Sequence, residues 1–268
     1  MTSSYKDGAG WDYTNIEFKP FDPTCEPGLI SVLFLSSSKL KLTKASLYST
    51  LAAVKNYTGE IEWNFLEQSA DYLDTFLFYH YLLLQRKNII VSQNYGINSG
   101  FNKLWGISHG EYCLIHENDF LNIKPDFNFL QHAKDILDEF PDVGLVRLRD
   151  PWDPWEQWGA EKADYEPLTC RPEIVADHGI KHWRETTSSK YPFHIFEFDN
   201  GYNNNPILMR KSLYRETGPM KETPFGANPR EGETDFQRRV KETGCLIAFL
   251  NDGVYHHIGG ARKKEFGL

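Results

Sequence analysis

At 268 residues, 40% hydrophobic and 25% charged, the chain is long enough to bury a sizeable core and too balanced to be a disordered or fibrous protein. A net charge of -8 argues against non-specific attraction to nucleic acid or to an anionic membrane surface. Cys25, Cys113, Cys170 and Cys245 lie far apart with no C-x-x-C pair, so neither a disulfide framework nor a structural zinc site is indicated.

Residues 1–28 are polar, rich in Gly and Pro, and lack the apolar stretch of an export signal. Leu29–Leu35 then reads as a buried strand, and Leu47, Leu51 and Val54 recur at helical spacing behind it. Ile61, Trp63 and Phe65 alternate with Glu62, Asn64 and Leu66, as in a strand. A long apolar helix is expected over 71–87. The greasiest part of it, Phe76–Leu84, contains His80 and is too short to span a bilayer. Expected next are a strand at 88–92, a helix at 99–108, a strand at 111–115, an amphipathic helix at 126–140 and a strand at 143–148. This βα alternation predicts an α/β fold with a mostly parallel sheet. A soluble, cytoplasmic protein is the corresponding expectation.

From Arg149 to Tyr202 the pattern breaks into Pro, Trp and charge, with only 194–198 strand-like, as in a functional loop. Trp152, Trp155, Trp158 and Trp183 are of a type that stacks on sugars or packs a loop. Asp199–Pro206 reads as a polar loop. Strands are expected at 207–209, 246–250 and 254–258, with a helix over 233–242. One domain over 1–268 follows: a leader (1–28), a half with regular βα alternation (29–148) and a loop-rich half (149–268).

Glu117-Asn118-Asp119 follows the strand at 111–115, at the edge where parallel sheets bind ligands. Two carboxylates in a turn suit a hard divalent cation that keeps water and phosphate oxygens as its other ligands. Such an ion neutralises charge on a departing diphosphate.

In order, Asn94-x-Gly96, Asn102, Gly110-Glu111-Tyr112 and Glu117-x-Asp119 resemble the signature of GT-A-fold, family-two-like nucleotide-sugar glycosyltransferases. The resemblance implies a Rossmann-like central sheet flanked by helices, with 29–148 as the nucleotide-sugar-binding half and the loop-rich 149–268 as the acceptor-side and catalytic half. It places Ser36, Glu67, Asn94, Asn102, Glu117 and Asn118 on the nucleotide-sugar donor. Ser36-Ser37-Ser38-Lys39 replaces the usual first loop, and Leu66-Glu67-Gln68 replaces the usual Asp-Asp-Gly. It implies Mn²⁺ or Mg²⁺ held by Asp119, Glu117 and a C-terminal histidine. Alternation along the last strand separates His256 from His257, and His257 is the choice. The segment 231–244 resembles the element that carries the base of an inverting transfer. There Glu233 is the expected base, Glu231 its rival, and Asp235 matches the second acidic position.

The expected function is therefore metal-dependent, inverting transfer from a UDP-sugar to a glycan or other small hydroxyl acceptor. The alternatives are a glycosyltransferase acting on a modified DNA base and a non-catalytic nucleotide- or sugar-binding module. Arg262-Lys263-Lys264 are candidate phosphate contacts.

Overall fold

The computed structural model describes residues 25–37, 39–148, 180–186, 192–196, 206–222, 230–250 and 253–258. Trp152, Trp155, Trp158, residues 199–205 and the basic run 262–264 lie outside the described residues.

The first apolar run forms β1 (Glu26–Ser36). Ile30, Val32 and Phe34 enter one core while Leu33 and Leu35 enter another. A strand apolar on both faces must be covered on both. On the first face lie α1 (Leu40–Val54), α2 (Leu73–Tyr81) and α4 (Phe129–Glu139). On the second lie α3 (Ile97–Ile107), α5 (Lys211–Thr217) and α6 (Arg230–Glu242).

β2 (Ile61–Glu67) and β4 (Gly110–Glu117) pair in parallel with β1 on its two sides, and β3 (Arg86–Val91) pairs in parallel with β2. A short β5 (Phe120–Asn122) follows β4. The sheet is completed by β6 (Val143–Arg147), β7 (Ile180–Glu185), β8 (Pro192–Phe196), β9 (Ile207–Arg210) and β10 (Leu246–Leu250). Its order is β3-β2-β1-β4-β9-β6-β10-β8-β7. Only β8 and β9 run against the rest, so the sheet is mostly parallel, as expected. Finally, β11 (Tyr255–His257) pairs antiparallel with β5 in a separate ribbon.

The helix expected over 71–87 stops at Tyr81, and Arg86 and Lys87 open β3 instead. The reason is visible in their partners. Lys87 Nζ reaches back to the carbonyls of Tyr79, His80 and Leu82, the unsatisfied end of α2. Arg86 bonds Glu26 and Glu60 across the strands. The strand expected to end at Ile115 runs through Glu117, so the acidic triplet straddles the strand end. Trp183 lies in β7, inside the stretch read as a loop. No helix among the described residues is long and apolar enough to cross a membrane. Cys25, Cys113 and Cys245 are free thiols.

β2 departs from simple alternation: Glu62 and Asn64 are as buried as their apolar neighbours. At the amino edge of the sheet, Glu62 accepts from Ser31 Oγ (2.5 Å), the His109 main chain (3.0 Å) and Asn64 Nδ2 (3.1 Å). Its other oxygen meets His109 Nδ1 at 2.7 Å. Gly110 belongs to the same corner. A Cβ there would sit 2.7 Å from the Leu29 carbonyl and the Ser31 nitrogen, so only glycine admits this approach.

Burial by itself raises the Glu62 pKa, but the donors around it outweigh that and hold it below the ordinary glutamate value. A depressed pKa stabilises the fold above the unfolded value of about 4.3 and is lost as pH falls through the folded value. Glu62→Gln is expected to lower stability at pH 7 by about 1–3 kcal/mol and to flatten the loss below about pH 4. Urea titrations across pH measure both.

Candidate active site

β1 lies between β2 and β4, so the chain reverses direction across the sheet at β1. Open α/β sheets bind ligands outside the carboxyl ends of the strands at such a reversal. Here those ends are Ser36, Glu67 and Glu117, and main-chain bonds extend the ladders one residue further. Asn118 N donates to Leu35 O (3.0 Å), Gln68 N to Ser36 O (2.9 Å) and Ser92 N to Glu67 O (3.0 Å).

The acidic turn is anchored by helix α1. Thr43, Ser46 and Thr50 recur at helical spacing and are fully buried against the segment 116–118. Asn118 Nδ2 donates to Thr43 Oγ1 at 2.9 Å, Ser46 Oγ lies 3.5 Å from the Glu117 carbonyl, and Thr50 Oγ1 meets His116 Nε2 at 3.0 Å. One turn apart on the same helix, Ser49 Oγ accepts from Asn122 N at 2.9 Å. His116 stacks on Phe34 and packs edge-on to Tyr255 and Phe120. Its complete burial lowers its pKa to about 4, so the ring is neutral. None of these α1 hydroxyls carried a signal in sequence.

Asp119, at the tip of the turn, meets the C-terminal strand. His257 Nε2 donates to Asp119 Oδ2 at 3.1 Å, and Ile258 N donates to Asp119 O at 2.7 Å. The His257 ring stacks on Phe120, opposite it in the β11–β5 pair. Both side chains remain partly open to solvent, 23% for Asp119 and 38% for His257. Two adjacent ligands of an octahedral ion, each about 2.1 Å from it, stand about 3.0 Å apart. The 3.1 Å between Oδ2 and Nε2 is that of a hydrogen bond and is also compatible with two adjacent ligands of a divalent cation, which would take the place of the shared hydrogen. Among the described residues no group of three or more His, Cys, Asp or Glu side chains converges on such a point. An ion here would complete its shell from phosphate and water, as Mg²⁺ and Mn²⁺ readily do.

The remaining donor-side candidates are placed differently from one another. Glu67 is fully buried: Ser36 Oγ donates to it at 2.5 Å and receives the Tyr79 hydroxyl at 2.6 Å. Beside it, buried Gln68 Nε2 and Ser69 Oγ have no hydrogen-bond partner among the described residues, a state that polar groups rarely keep without a ligand or water. Asn94 is exposed, accepts from Gly96 N at 2.9 Å and reaches Ser37 Oγ at 3.5 Å. Asn102, expected at the nucleotide, has its amide occupied within the chain. It donates to Met220 O (2.8 Å) and Glu222 (3.2 Å) and accepts from Met220 N (2.9 Å) and Tyr214 (3.0 Å). This side chain is a clamp on the segment after α5.

The acidic residues of the third motif sit at the start of α6. Glu231 is exposed and Glu233 half-buried, both in the first turn. Asp235 bonds Arg238 and Arg239 at 2.9 Å each, and the Arg238 bond leads the effects that depress its pKa. Arg239 in turn holds the carbonyls of Thr217, Gly218 and Pro219 at the end of α5. Asp235 thus orients a helix-capping arginine. Gly232 lets α6 approach α3: a Cβ would lie 2.1 Å from Asn98 Nδ2 and 2.2 Å from the Lys221 carbonyl.

No protein-family profile matches the chain, and no curated protein sequence does. Solved structures do. TarS of S. aureus, residues 1–349, superposes with a TM-score of 0.54 at 15% identity, over 84% of this chain and 59% of that one. Its complex with UDP-GlcNAc superposes at 0.54 and 16% identity, over 87% and 61%. Its complex with UDP superposes at 0.52 and 17% identity, over 84% and 59%. The chain therefore spans about three fifths of the length of the solved chains it matches. At this identity the likeness is one of fold, and the GT-A arrangement expected from the sequence is the arrangement found.

Because Gly232 stands against backbone, Gly232→Ala cannot be relieved by a side-chain rotation alone. A loss of about 1–3 kcal/mol in chemical denaturation is expected, and a loss below about 0.5 kcal/mol would refute the close approach.

Proposed function

We propose that the protein is a glycosyltransferase that takes a sugar from a nucleoside-diphosphate donor, a UDP-sugar first, and passes it to a hydroxyl acceptor. The observation that carries this reading is the Asp119–His257 contact, with metal-ligand spacing, at the reversal point of a GT-A sheet. The choice of uridine is supported by the TarS structures with UDP-GlcNAc and UDP, which share the fold.

In this reading Asp119 and His257 would hold Mn²⁺ or Mg²⁺, which would supply neutralisation of the charge that gathers on the departing diphosphate. Gln68 and Ser69 offer buried polar groups, and Asn94 an exposed one, along the edge where the nucleoside would lie. The acceptor oxygen bonds to the anomeric carbon as the bond from that carbon to the diphosphate breaks. The acceptor proton passes to a carboxylate oxygen of Glu233, in the first turn of α6, with Glu231 as the rival. Asp235, already paired with two arginines, is the poorest base of the three. Attack from the side opposite the diphosphate inverts the anomeric configuration.

Hydrolysis of UDP-sugars in the presence of Mn²⁺ tests the donor and the ion without knowledge of the acceptor. Asp119→Ala is expected to cut turnover by about 10²–10³-fold, as removal of a charge-stabilising group does. Full metal-dependent turnover in that variant would sink the assignment. Once an acceptor is found, Glu233→Gln is expected to slow transfer by about 10²–10⁴-fold while leaving UDP affinity unchanged.

A further inference from the structure

His116 is buried directly beneath the acidic turn, and every hydrogen around it can be assigned. Its Nδ1 lies 2.6 Å from the Glu117 carbonyl. A carbonyl only accepts, so Nδ1 carries the hydrogen and Nε2 presents a lone pair. Thr50 Oγ1, 3.0 Å from Nε2, donates to it and in turn accepts the Tyr255 hydroxyl at 3.2 Å. The chain therefore runs from Tyr255 through Thr50 and His116 to the main chain of Glu117.

Tyr255 and His257 are two apart on β11 and share a face of that strand. One reaches the base of the acidic turn through Thr50 and His116, while the other reaches its tip at Asp119. The C-terminal strand, α1 and the end of β4 are thus closed into one ring of hydrogen bonds. An apolar ring in place of His116 would fill the same aromatic box of Phe34, Phe120 and Tyr255. It would also strip the Glu117 carbonyl and the Thr50 hydroxyl of a buried partner.

We propose that His116, backed by Thr50 and Tyr255, is a positioning residue that holds the Glu117 carbonyl and so sets the stance of Asp119 against His257. It touches neither donor nor acceptor. The proposal rests on the reading that Asp119 and His257 hold the ion, and its test separates the two.

Histidine-selective ¹⁵N spectra of the full chain need neither ion nor donor. They are expected to show His116 protonated at Nδ1, with its Nε2 signal moved by Thr50→Val. A His116 ring protonated at Nε2 overturns the proposal whatever the protein binds. The second readout is Mn²⁺ affinity in the presence of UDP, followed by electron paramagnetic resonance. His116→Phe is expected to weaken it about tenfold, whereas His116→Asn, which keeps an N–H near the Nδ1 position, stays within about threefold. A purely structural role would instead lower the melting temperature of both variants and leave the affinity of the folded protein unchanged. A folded His116→Phe that binds Mn²⁺ as tightly as wild type therefore overturns the proposal. If His116→Phe does not fold, Thr50→Val stands in for it, with about threefold weakening expected and wild-type affinity overturning. Wild type that binds no Mn²⁺ with UDP brings down the functional reading and its positioning corollary, while the spectra still decide the hydrogen-bond chain.

Discussion

Beyond the end of β4 the segment from His116 to Asn122 leaves the main sheet, and besides the short β11–β5 ribbon it is held by the hydroxyls of one helix. Thr43, Ser46, Ser49 and Thr50 of α1 bond or approach Asn118, the Glu117 carbonyl, the Asn122 nitrogen and His116. Buried polar groups cost free energy unless they are paired, so these contacts permit one rotation and one height of α1 against β4. The apolar side of the same helix, with Leu42, Leu47, Ala53 and Val54 buried, is satisfied by that same rotation. Core packing and placement of the acidic turn are therefore a single constraint. The contact between Asp119 and His257 depends on it, since β11 is tied to Thr50 as well.

The motifs through which the chain resembles family-two glycosyltransferases are mostly framework. Asn94 folds its own turn onto Gly96, Asn102 clamps Met220, and Gly110 admits the backbone of β1. Glu111 accepts from Gly28 N, and Tyr112 donates to Asp138. Each residue type answers a local need for a donor, an acceptor or missing volume. Such a pattern reports a fold faithfully even where overall identity is 15–17%. The proposed chemistry is assigned instead to Asp119 and His257, which meet beyond the end of β4, and to the first turn of α6.

The two buried glutamates of β2 show the same division between frame and site. Glu62 closes the amino edge of the sheet with Ser31, Asn64 and His109. Glu67, at the carboxyl edge, is covered by Ser36 and Tyr79, next to Gln68 and Ser69. From sequence the two looked like one polar and one ligand-facing carboxylate on an alternating strand. Both faces of β2 are in fact buried, and polar residues persist there because partners from β1 and the following loops reach them.

Much of the frame was legible in the chain itself. Continuous apolar runs identified β1 and β10, helical periodicity identified α1 and α4, and their alternation predicted a mostly parallel sheet. The end of α2 was misplaced because an apolar run shows no break where Lys87 comes back to cap it from the next strand. Position after a strand marked Asp119, and alternation separated His257 from His256, because strand geometry is local. Tertiary structure alone decided what those residues meet. A hydroxyl at helical spacing, a histidine in an apolar strand and an asparagine inside a helix carry no sign of their partners until distant elements dock. That is why His116, Thr50 and the hydrogen bonds of Asn102 emerged only from the folded molecule, where residues as far apart as Thr50 and Tyr255 share one hydrogen bond.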